Sequence, residues 1–350
     1  MKLLVTGGAG FIGCNFVRYW QAVNPQDFIV VLDKLTYAGS LDNLKGVSNT
    51  HFKFVEGDIC DQPLVESLLE EFKLDTIVHF AAESHVDRSI AGPDVFIETN
   101  IVGTHALLKA ARKKWLTEKI VDTHRFHHVS TDEVYGSLEL NDEKFTETTP
   151  YKPSSPYSAS KAASDHLVWA YHTTYGLNVS LSNCSNNYGA FQHIEKLIPR
   201  TILQLLKGEP MGVYGDGQNI RDWLYVDEHC RAIELILKKG KSGDIFNIGT
   251  DCEKNNVEVV KAIAKALCEL YDAEPNFAEF AKSVSPDLKA FWQSDKIIHF
   301  IDDRLGHDRR YAIDNSLIKN QLGFQPTTSF EAALYETVKW YVSQSPLLFS

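Results

Sequence analysis

A glycine array directly after the first apolar run constrains this chain more than any other feature. The run from Leu3 to Thr6 is β-type, and an amphipathic stretch begins near Phe11. Between them, the sequence TGGAGFIG places Gly7, Gly10 and Gly13 three residues apart. Glycines at a strand-to-helix turn permit a tight bend and close approach of the backbone to a pyrophosphate, and the unpaired N–H groups of the helix N-terminus favour an anion. The array therefore predicts a dinucleotide site.

The first half of the chain alternates short apolar runs with amphipathic stretches. The runs are nearly all apolar, as strands require when helices cover both faces of a sheet. Strands joined by helical crossovers imply an α/β fold with a doubly wound parallel sheet of the Rossmann type. We predict strands at Leu3 to Thr6, Phe28 to Leu32, Phe52 to Val55, Thr76 to Phe80 and Phe126 to Ser130, and helices near Phe11 to Ala22, Gln62 to Phe72, Val95 to Trp115 and Pro156 to Tyr175.

Asp33 closes the second predicted strand, 20 residues after Gly13. A carboxylate there can accept hydrogen bonds from an adenosine ribose and repels a 2′-phosphate, so the sequence favours NAD over NADP. The neighbouring Lys34 tempers that preference. Asp58, after the third strand, can likewise reach the adenine edge, although taken alone it is an ordinary strand-end carboxylate.

The second half of the chain is less regular and predicts a smaller mixed α/β C-terminal substrate lobe. Proline and glycine cluster from Gly208 to Trp223, and the stretch from Phe277 to Asp295 is hard to assign. We expect an NAD-binding domain over residues 1–185, which the chain re-enters around residues 225–249, and a mainly substrate-binding lobe over residues 186–350. Helical patterns occur at Asp227 to Lys238, Asn256 to Tyr271 and Ser329 to Val342.

Composition argues against several other classes of protein. Asp and Glu number 46 against 35 Lys and Arg, and the formal net charge of −11 argues against general binding to nucleic acid or an anionic membrane. The six cysteines contain no C-x-x-C pair, so they indicate neither a disulfide framework nor a zinc site. No run approaches the ~18 apolar residues of a membrane span, and no signal-peptide core follows Met1. We expect a cytoplasmic protein that does not bind membranes.

Two adjacent acids, Asp132 and Glu133, follow Thr131 at the end of the fifth predicted strand. One acid can donate a proton and the other can accept one, provided that a drier or more anionic setting raises the pKa of one of them. The pair therefore supplies the chemistry of an elimination as well as that of an oxidation.

Tyr157 and Lys161 lie four residues apart, after Ser155 and Pro156. A serine cap followed by proline begins a helix, so both side chains should project from one face, one turn apart. A lysine ammonium beside a phenol lowers the pKa of the phenol, which makes Tyr157 a base toward a sugar hydroxyl.

Ten segments of the sequence match one family. They are TGGAGFIG, LDKLTYAG, GDICD, FAAESHVDRS, STDEVYG, YSASK, NCSNNYG, EKLIP, YGDGQNIRDWLYV and GHDRRYAID. Through them, nearly the whole chain resembles the extended short-chain dehydrogenase/reductase superfamily and, more closely, its dTDP-glucose 4,6-dehydratases. The resemblance implies an NAD-dependent hydro-lyase that converts dTDP-glucose to dTDP-4-keto-6-deoxyglucose in deoxysugar biosynthesis.

The resemblance also implies roles for five catalytic residues. Tyr157 takes the 4-hydroxyl proton while hydride leaves C4, Lys161 holds the nicotinamide ribose, and Thr131 hydrogen-bonds at the reacting oxygen. Glu133 then removes the C5 proton while Asp132, as a neutral acid, protonates the departing 6-hydroxyl, and the hydride returns to C6.

Binding residues follow from the same resemblance. The cofactor residues are Gly7, Gly10, Phe11, Ile12, Gly13, Asp33, Lys34, Leu35, Thr36, Asp58, Ile59, Phe80, Ala81, Ala82, Ser84, Thr99, Tyr157, Lys161 and Asn187. The substrate residues are Ser84, Thr131, Asn186, Lys196, Leu197, Tyr214, Arg221, Asn256, Arg304 and His307, with Lys196, Arg221 and Arg304 suited to a diphosphate. The family further implies a homodimer through the helices near Val95 to Trp115 and Pro156 to Tyr175.

Other functions use the same fold. A sugar-nucleotide 4-epimerase or a decarboxylase needs Tyr157 and the cofactor but no acid pair, and a GDP-mannose dehydratase is expected to have serine or threonine in place of Asp132. A UDP-glucose 4,6-dehydratase would act on the same sugar attached to a uracil nucleotide, and the sequence leaves the base open between thymine and uracil. A non-catalytic NAD-binding module would have no need of the intact reactive residues.

Several positions depart from the family pattern. Ala190 stands where a proline is usual, His193 and Ile194 replace a Phe-Pro pair, and Leu305 replaces a proline. These changes concern the substrate loop more than the reaction. The cluster of His124, His127 and His128 lacks metal-ligand spacing, so no metal is predicted, and His79 and His85 are expected to form walls of the site.

Overall fold

The structure is a computed structural model that describes residues 1–48, 50–303 and 306–348. The strands are β1 (Lys2–Thr6), β2 (Phe28–Asp33), β3 (Phe52–Glu56), β4 (Thr76–His79), β5 (Arg125–Thr131), β6 (Val179–Cys184), β7 (Asn186–Tyr188), β8 (Met211–Tyr214), β9 (Ile220–Tyr225), β10 (Asp244–Ile248), β11 (Glu253–Asn255) and β12 (Ile298–Ile301). The helices are α1 (Phe11–Val23), α2 (Gln62–Glu71), α3 (Val86–Ala91), α4 (Asp94–Phe96), α5 (Thr104–Ala111), α6 (Pro156–Tyr175), α7 (Leu197–Leu206), α8 (Val226–Lys239), α9 (Asn256–Ala273), α10 (Pro275–Val284), α11 (Leu288–Trp292), α12 (Ser316–Leu322) and α13 (Phe330–Leu348).

A seven-stranded parallel sheet forms the larger part of the fold. Its strand order is β10-β6-β5-β4-β1-β2-β3, and neighbouring strands pair in parallel. The chain runs from β1 to one edge and then returns to β4 on the other side of β1. Ligands of open α/β sheets bind outside the carboxyl ends of the strands at such a switch point. The predicted Rossmann-type fold is confirmed.

Helices cover both faces of this sheet. On one face, Phe16 and Trp20 of α1 pack in the same core as Ile233 of α8. On the other face, Leu107 of α5 and Val168 of α6 belong to a second core. Each buried side chain of this size stabilises the fold by about 1.5–3 kcal/mol. The sheet is therefore a rigid platform for the loops at its carboxyl edge.

The smaller lobe has its own core and two small sheets. The strand orders are β11-β9-β7 and β12-β8, and α7, α9, α10, α11 and α13 contribute side chains to the lobe core. α8 and β10 leave the lobe again, and β10 pairs with β6 at the edge of the large sheet. The boundary between the two domains stays a prediction. Among the described residues, no helix is both long and apolar enough to span a membrane.

Several elements differ from the sequence expectations or were not predicted. The predicted helix near Val95 to Trp115 is a composite, in which wide π-type turns at Ile97–Gly103 and Arg112–Thr117 flank α5. The unassigned stretch forms α10 and α11. β6 was missed because buried serines interrupt its apolar pattern. These serines are tolerated in the core because the hydroxyls of Ser180 and Ser182 lie 3.0 and 3.2 Å from the ring nitrogens of His127 on β5.

Candidate active site

The glycine loop between β1 and α1 leaves no room for a side chain at Gly7 or Gly13. Gly7 has a φ of +69°, and a Cβ at this position would lie 2.6 Å from the N atom of Ala81. A Cβ at Gly13 would lie 2.2 Å from the carbonyl oxygen of Gly7. The N-terminus of α1 therefore opens into a cradle that only a backbone without side chains can form, which fits the pyrophosphate of a dinucleotide.

Asp33, at the end of β2, holds this loop through its carboxylate. The Ala9 N–H donates to Oδ2 at 2.8 Å, and the Leu35 N–H donates to Oδ1 at 2.9 Å. Burial raises the pKa of Asp33, while these N–H donors oppose the shift. The residue still lines the cleft, where its remaining lone pairs can accept from a ribose.

Lys34 is engaged by the second predicted carboxylate of the cofactor site. Its Nζ lies 2.6 Å from Oδ2 of Asp58. Burial acts to raise the pKa of Asp58, but the Lys34 ammonium and the Cys60 N–H outweigh it and lower the pKa overall. The charge that tempered the preference for NAD is therefore offset by a neighbouring anion.

One cleft along the carboxyl edge of the sheet gathers most of the predicted site. Leu35 is not among its lining residues; it has a φ of +53° in the turn after β2. The predicted residues that line the cleft are Gly7, Gly10, Phe11, Ile12, Gly13, Asp33, Lys34, Thr36, Asp58, Ile59, Phe80, Ala81, Ala82, Ser84, Thr99, Thr131, Asp132, Glu133, Tyr157, Lys161, Asn186, Asn187 and Lys196. Lining residues that were not predicted include Glu83, Cys184, Ser185, Gln192, His193 and Glu195.

The N-terminus of α6 positions Tyr157 and Lys161 by a capping box. The Ser155 hydroxyl accepts from the Ser158 N–H at 3.1 Å, and the Ser155 N–H donates to the Ser158 hydroxyl at 3.0 Å. Tyr157 hydrogen-bonds Thr131 at the end of β5. The phenol, the lysine and the threonine thus meet where a strand end faces a helix start.

Burial has the largest effect on the pKa values of Tyr157 and Lys161. It raises the pKa of Tyr157 well above its usual value, the Glu133 carboxylate adds to the effect, and the hydrogen bond with Thr131 opposes it. Burial also lowers the pKa of Lys161, whose Nζ donates to the Val129 carbonyl at 2.9 Å. We expected the lysine to lower the pKa of the phenol, but the desolvation of both groups is the larger effect.

The two adjacent acids lie in different environments. Asp132 is 1% exposed, and its Oδ2 has no hydrogen-bond partner among the described residues. Burial raises its pKa well above the usual value, Glu133 and Asp222 add to this, and Arg221 opposes it. Glu133 is only half-buried. The asymmetry that an acid and a base require is therefore present in the fold.

Arg221 connects the acid pair to the smaller lobe. It lies in β9, stacks over the ring of Tyr311 at 4.2 Å, and donates through Nη2 to the Asp308 carbonyl at 3.1 Å. Tyr311 is in turn close to the acid pair: burial raises its pKa, and the Glu133 carboxylate adds to the increase. Arg221 is therefore near the reacting groups although it is not a lining residue of the cleft.

Four other predicted substrate residues lie in the smaller lobe and do not line the cleft. Tyr214 ends β8, with its ring 6.1 Å from that of His307, and His307 Nδ1 lies 2.6 Å from Oδ1 of Asp303. Asn256 and Leu197 are the first residues of α9 and α7. Arg304, like the departure at Leu305, lies outside the described residues.

The two histidines expected as walls of the site have other environments. His79 is buried, with Nδ1 2.7 Å from the Thr6 hydroxyl and Nε2 2.9 Å from the Thr104 hydroxyl. The expectation for His79 is wrong, because its side chain points from the sheet into the helix layer. His85 caps α3, and its Nε2 lies 3.4 Å from Oε2 of Glu195, a cleft residue. Within the described residues, no cluster of three or more His, Cys, Asp or Glu side chains is placed to hold a metal.

Comparison with known proteins finds relatives that match nearly the whole chain in sequence and in fold. The family model described as GDP-mannose 4,6 dehydratase matches residues 4–337. A dTDP-glucose 4,6-dehydratase of Haemophilus influenzae is 50% identical over 349 residues, covering 99% of each chain. The structure of the Streptomyces venezuelae dTDP-glucose 4,6-dehydratase with NAD and TDP bound superposes with a TM-score of 0.84 at 44% identity, over 99% of this chain and 98% of the other.

A second solved structure gives the same result. The dTDP-glucose 4,6-dehydratase of Bacillus anthracis in complex with NAD has a TM-score of 0.84 at 41% identity, and covers 99% of this chain and 98% of its own. The family model is broader than these relatives, which share one reaction and one nucleotide. The chain belongs to the GDP-mannose 4,6 dehydratase family and, within it, to the dTDP-glucose 4,6-dehydratases.

Proposed function

We propose that this chain retains NAD and converts dTDP-glucose to dTDP-4-keto-6-deoxyglucose. The steps are oxidation at C4, elimination of water across C5–C6, and return of the hydride to C6. The identity of 50% over 349 residues to a dTDP-glucose 4,6-dehydratase supports this reaction over 4-epimerisation. The observation that carries the proposal is the acid pair: Asp132 is fully buried and Glu133 half-buried, both in one cleft with Tyr157.

The chain's residues fit NAD. The glycine cradle would hold the pyrophosphate and Asp33 would accept hydrogen bonds from the adenosine ribose, and Lys161 lines the same cleft. When bound, NAD supplies a hydride acceptor that later becomes the donor, so the cofactor emerges unchanged. The acidic Asp33 and the offset charge of Lys34 support NAD over NADP.

The first half of the reaction uses Tyr157, Thr131 and Lys161. Tyr157 takes the proton of the 4-hydroxyl and must be a phenolate to do so, which burial and the Glu133 carboxylate oppose and the hydrogen bond with Thr131 favours. The Thr131 hydroxyl would also hydrogen-bond the oxygen that becomes the ketone. The buried Lys161 ammonium favours negative charge on the phenol oxygen. Oxidation at C4 then acidifies the hydrogen on C5, which prepares the elimination.

The acid pair performs the second half. Glu133 removes the C5 proton while Asp132 gives its proton to the departing 6-hydroxyl, so water leaves and the C5–C6 double bond forms. The pair has then gained one proton and lost one. When the hydride returns to C6, Glu133 gives a proton back to C5 after exchange with solvent, and the proton that Tyr157 took from the 4-hydroxyl passes through solvent to Asp132, so all three groups return to their starting states.

Binding of the nucleotide sugar is assigned to the region between the cleft and the smaller lobe. Lys196, Arg221 and Arg304 are the cations that suit a diphosphate in an otherwise acidic protein. Lys196 supports this role from the cleft, where its Nζ donates to the Ser84 carbonyl at 3.1 Å. We further propose a cytoplasmic homodimer that pairs through α6 and the composite helix from Asp94 to Thr117, since Val95, Ile97, Val102, Trp169 and Tyr175 are exposed apolar side chains on them.

Deuterium incorporation tests the reaction. In deuterated water, dTDP-glucose should give a 4-keto-6-deoxy sugar labelled at C5, without consumption of added NAD. A 4-epimer that keeps its oxygen at C6, or a dehydrated product without deuterium at C5, would refute the elimination. A parallel assay with UDP-glucose settles the nucleotide base, and a faster turnover of UDP-glucose would overturn that part of the proposal.

The substitution Glu133→Gln tests the assignment of the base. The variant should still show NADH absorbance from the first oxidation but should not release water, because the amide cannot accept the C5 proton. Glu139→Gln makes the same change at an exposed position and should dehydrate at the wild-type rate. Normal dehydration by Glu133→Gln would show that another group is the base.

A further inference from the structure

A buried carboxylate lies one helical turn beyond Lys161 and has no role in the steps above. Asp165 is on α6, four residues after Lys161 and eight after Tyr157, and it is 3% exposed. Its Oδ2 accepts from the Ser130 hydroxyl at 2.8 Å and from the Tyr151 hydroxyl at 3.0 Å. Residues at this spacing share one face of a helix. The carboxylate is therefore held on the same side of α6 as the phenol and the lysine.

Burial favours the neutral form of His128, which lies beside Asp165, and of His79, whose ring is 5.1 Å from that of His128. His128 Nε2 lies 3.1 Å from Oδ1 of Asp165 and 3.2 Å from the Ser164 hydroxyl, which donates to the Lys161 carbonyl and so accepts from Nε2–H. Burial lowers the pKa of His128 well below its usual value, and the Lys161 ammonium adds to the effect. Burial, His128 and Lys161 do the same to His79. Neither ring can balance a charge in this layer.

Burial also disfavours a charge on Cys184, near Lys161, and on Tyr151, which hydrogen-bonds Asp165. Burial raises the pKa of Cys184 on β6 to about 12, and burial also raises that of Tyr151. Asp165 differs: burial raises its pKa to about 6, while the Lys161 ammonium, Ser130 and Tyr151 oppose the increase. Of these groups near Lys161, Asp165 is therefore the one that carries a negative charge at neutral pH.

An ammonium buried as deeply as that of Lys161 requires compensation. Moving it from water into the protein interior costs several kcal/mol unless an opposite charge is close. The Val129 carbonyl provides one acceptor at 2.9 Å but no charge. The Asp165 carboxylate opposes the effect of burial on the pKa of Lys161 more than any other group does.

We propose that Asp165 is the counter-charge that keeps Lys161 cationic on the face of α6 that it shares with Tyr157, and is thus a positioning residue for the reaction. The proposal rests on the proposed function, because Lys161 matters only if Tyr157 acts on a sugar hydroxyl. Asp165 does not line the cleft. Its effect on catalysis passes through Lys161.

The pH profile of NADH formation from dTDP-glucose tests this role. Asp165→Asn keeps an acceptor oxygen for Ser130 and Tyr151 but removes the charge. Without the anion, Lys161 loses its proton at lower pH, so the alkaline limb of the rate profile should shift down by about 1 pH unit or more, the usual effect of one nearby opposite charge. Near that limb the rate should fall about tenfold at a given pH.

Tyr151→Phe is the matched control. It removes one hydrogen bond from the same carboxylate and leaves the charge, so the alkaline limb should stay within about 0.3 pH unit of wild type if charge is the cause. Equal shifts in both variants would show that packing of the network, and not its charge, matters. An unshifted limb in Asp165→Asn would overturn the proposal outright.

A stability cycle tests the pair without turnover. Lys161→Met leaves the Asp165 carboxylate buried without its cation, so Asp165→Asn should change Tm in a more favourable direction in the Lys161→Met background than in wild type. An equal change in both backgrounds would overturn the proposal, as would failure of the double variant to restore folding if Asp165→Asn alone does not fold. If wild type forms no NADH from dTDP-glucose, the proposed function fails while this cycle still decides the role of Asp165.

Discussion

The stability of Asp132→Asn relative to that of wild type should increase as the pH rises. The same substitution should abolish dehydration. The carboxyl of Asp132 is buried, its Oδ2 has no partner among the described residues, and its native pKa is raised by burial, Glu133 and Asp222. A group whose native pKa lies above its unfolded value stabilises the fold at low pH and loses that contribution as pH rises from the unfolded pKa of about 3.9. Asparagine is of similar size and does not titrate.

The size of the effect follows from proton linkage. While native Asp132 is protonated and unfolded Asp132 is ionised, the free energy of unfolding of wild type falls relative to the variant by about 1.4 kcal/mol per pH unit. The difference therefore grows by this amount for every pH unit over which native Asp132 stays protonated. For a chain of 350 residues with an unfolding entropy of about 2.1 cal/mol/K per residue, this corresponds to about 2 °C in Tm per pH unit.

The assay is thermal unfolding of wild type and Asp132→Asn at several pH values between 5 and 8, with saturating NAD so that cofactor binding contributes equally. Asp122→Asn, at an exposed position before β5, is the control for the loss of one acid and should give a flat difference. The same Asp132→Asn protein should form NADH from dTDP-glucose and release no water, because an amide cannot donate the required proton.

A difference in Tm between wild type and Asp132→Asn that does not change with pH would refute the reasoning. It would mean that Asp132 is equally ionised in the native and unfolded states. Asp132 would then be a carboxylate at neutral pH, and the proton for the leaving hydroxyl would have to come from another group.

Two further predictions concern the cofactor and the first step. Gly13→Ala should prevent NAD retention and lower the stability by about 1–3 kcal/mol, since the new Cβ would lie 2.2 Å from the Gly7 carbonyl; purification with a normal NAD content would contradict the cradle. Tyr157→Phe should keep NAD but form no NADH from dTDP-glucose, as measured by absorbance, because no phenol remains to take the 4-hydroxyl proton, and transient NADH in this variant would exclude Tyr157 as the base.

The sequence determined the local parts of this protein. The spacing of Gly7, Gly10 and Gly13 specified the turn, and the apolar runs specified five strands of the large sheet. Ser155 and Pro156 specified the start of α6, which fixes Tyr157 one turn before Lys161. Each of these features depends on residues within a few positions of one another, where backbone geometry and side-chain periodicity act directly.

Only the tertiary structure decided how the same residues ionise. Asp132 and Glu133 are neighbours with almost the same chemistry, yet Asp132 is dry and near Asp222 and Arg221, which are about ninety residues further along the chain. β6 and the counter-charge at Asp165 were missed for the same reason, since their polar side chains are satisfied by distant partners on β5. Burial and charge are sums over groups brought together by the fold, and the distances between those groups cannot be read from their separation in sequence.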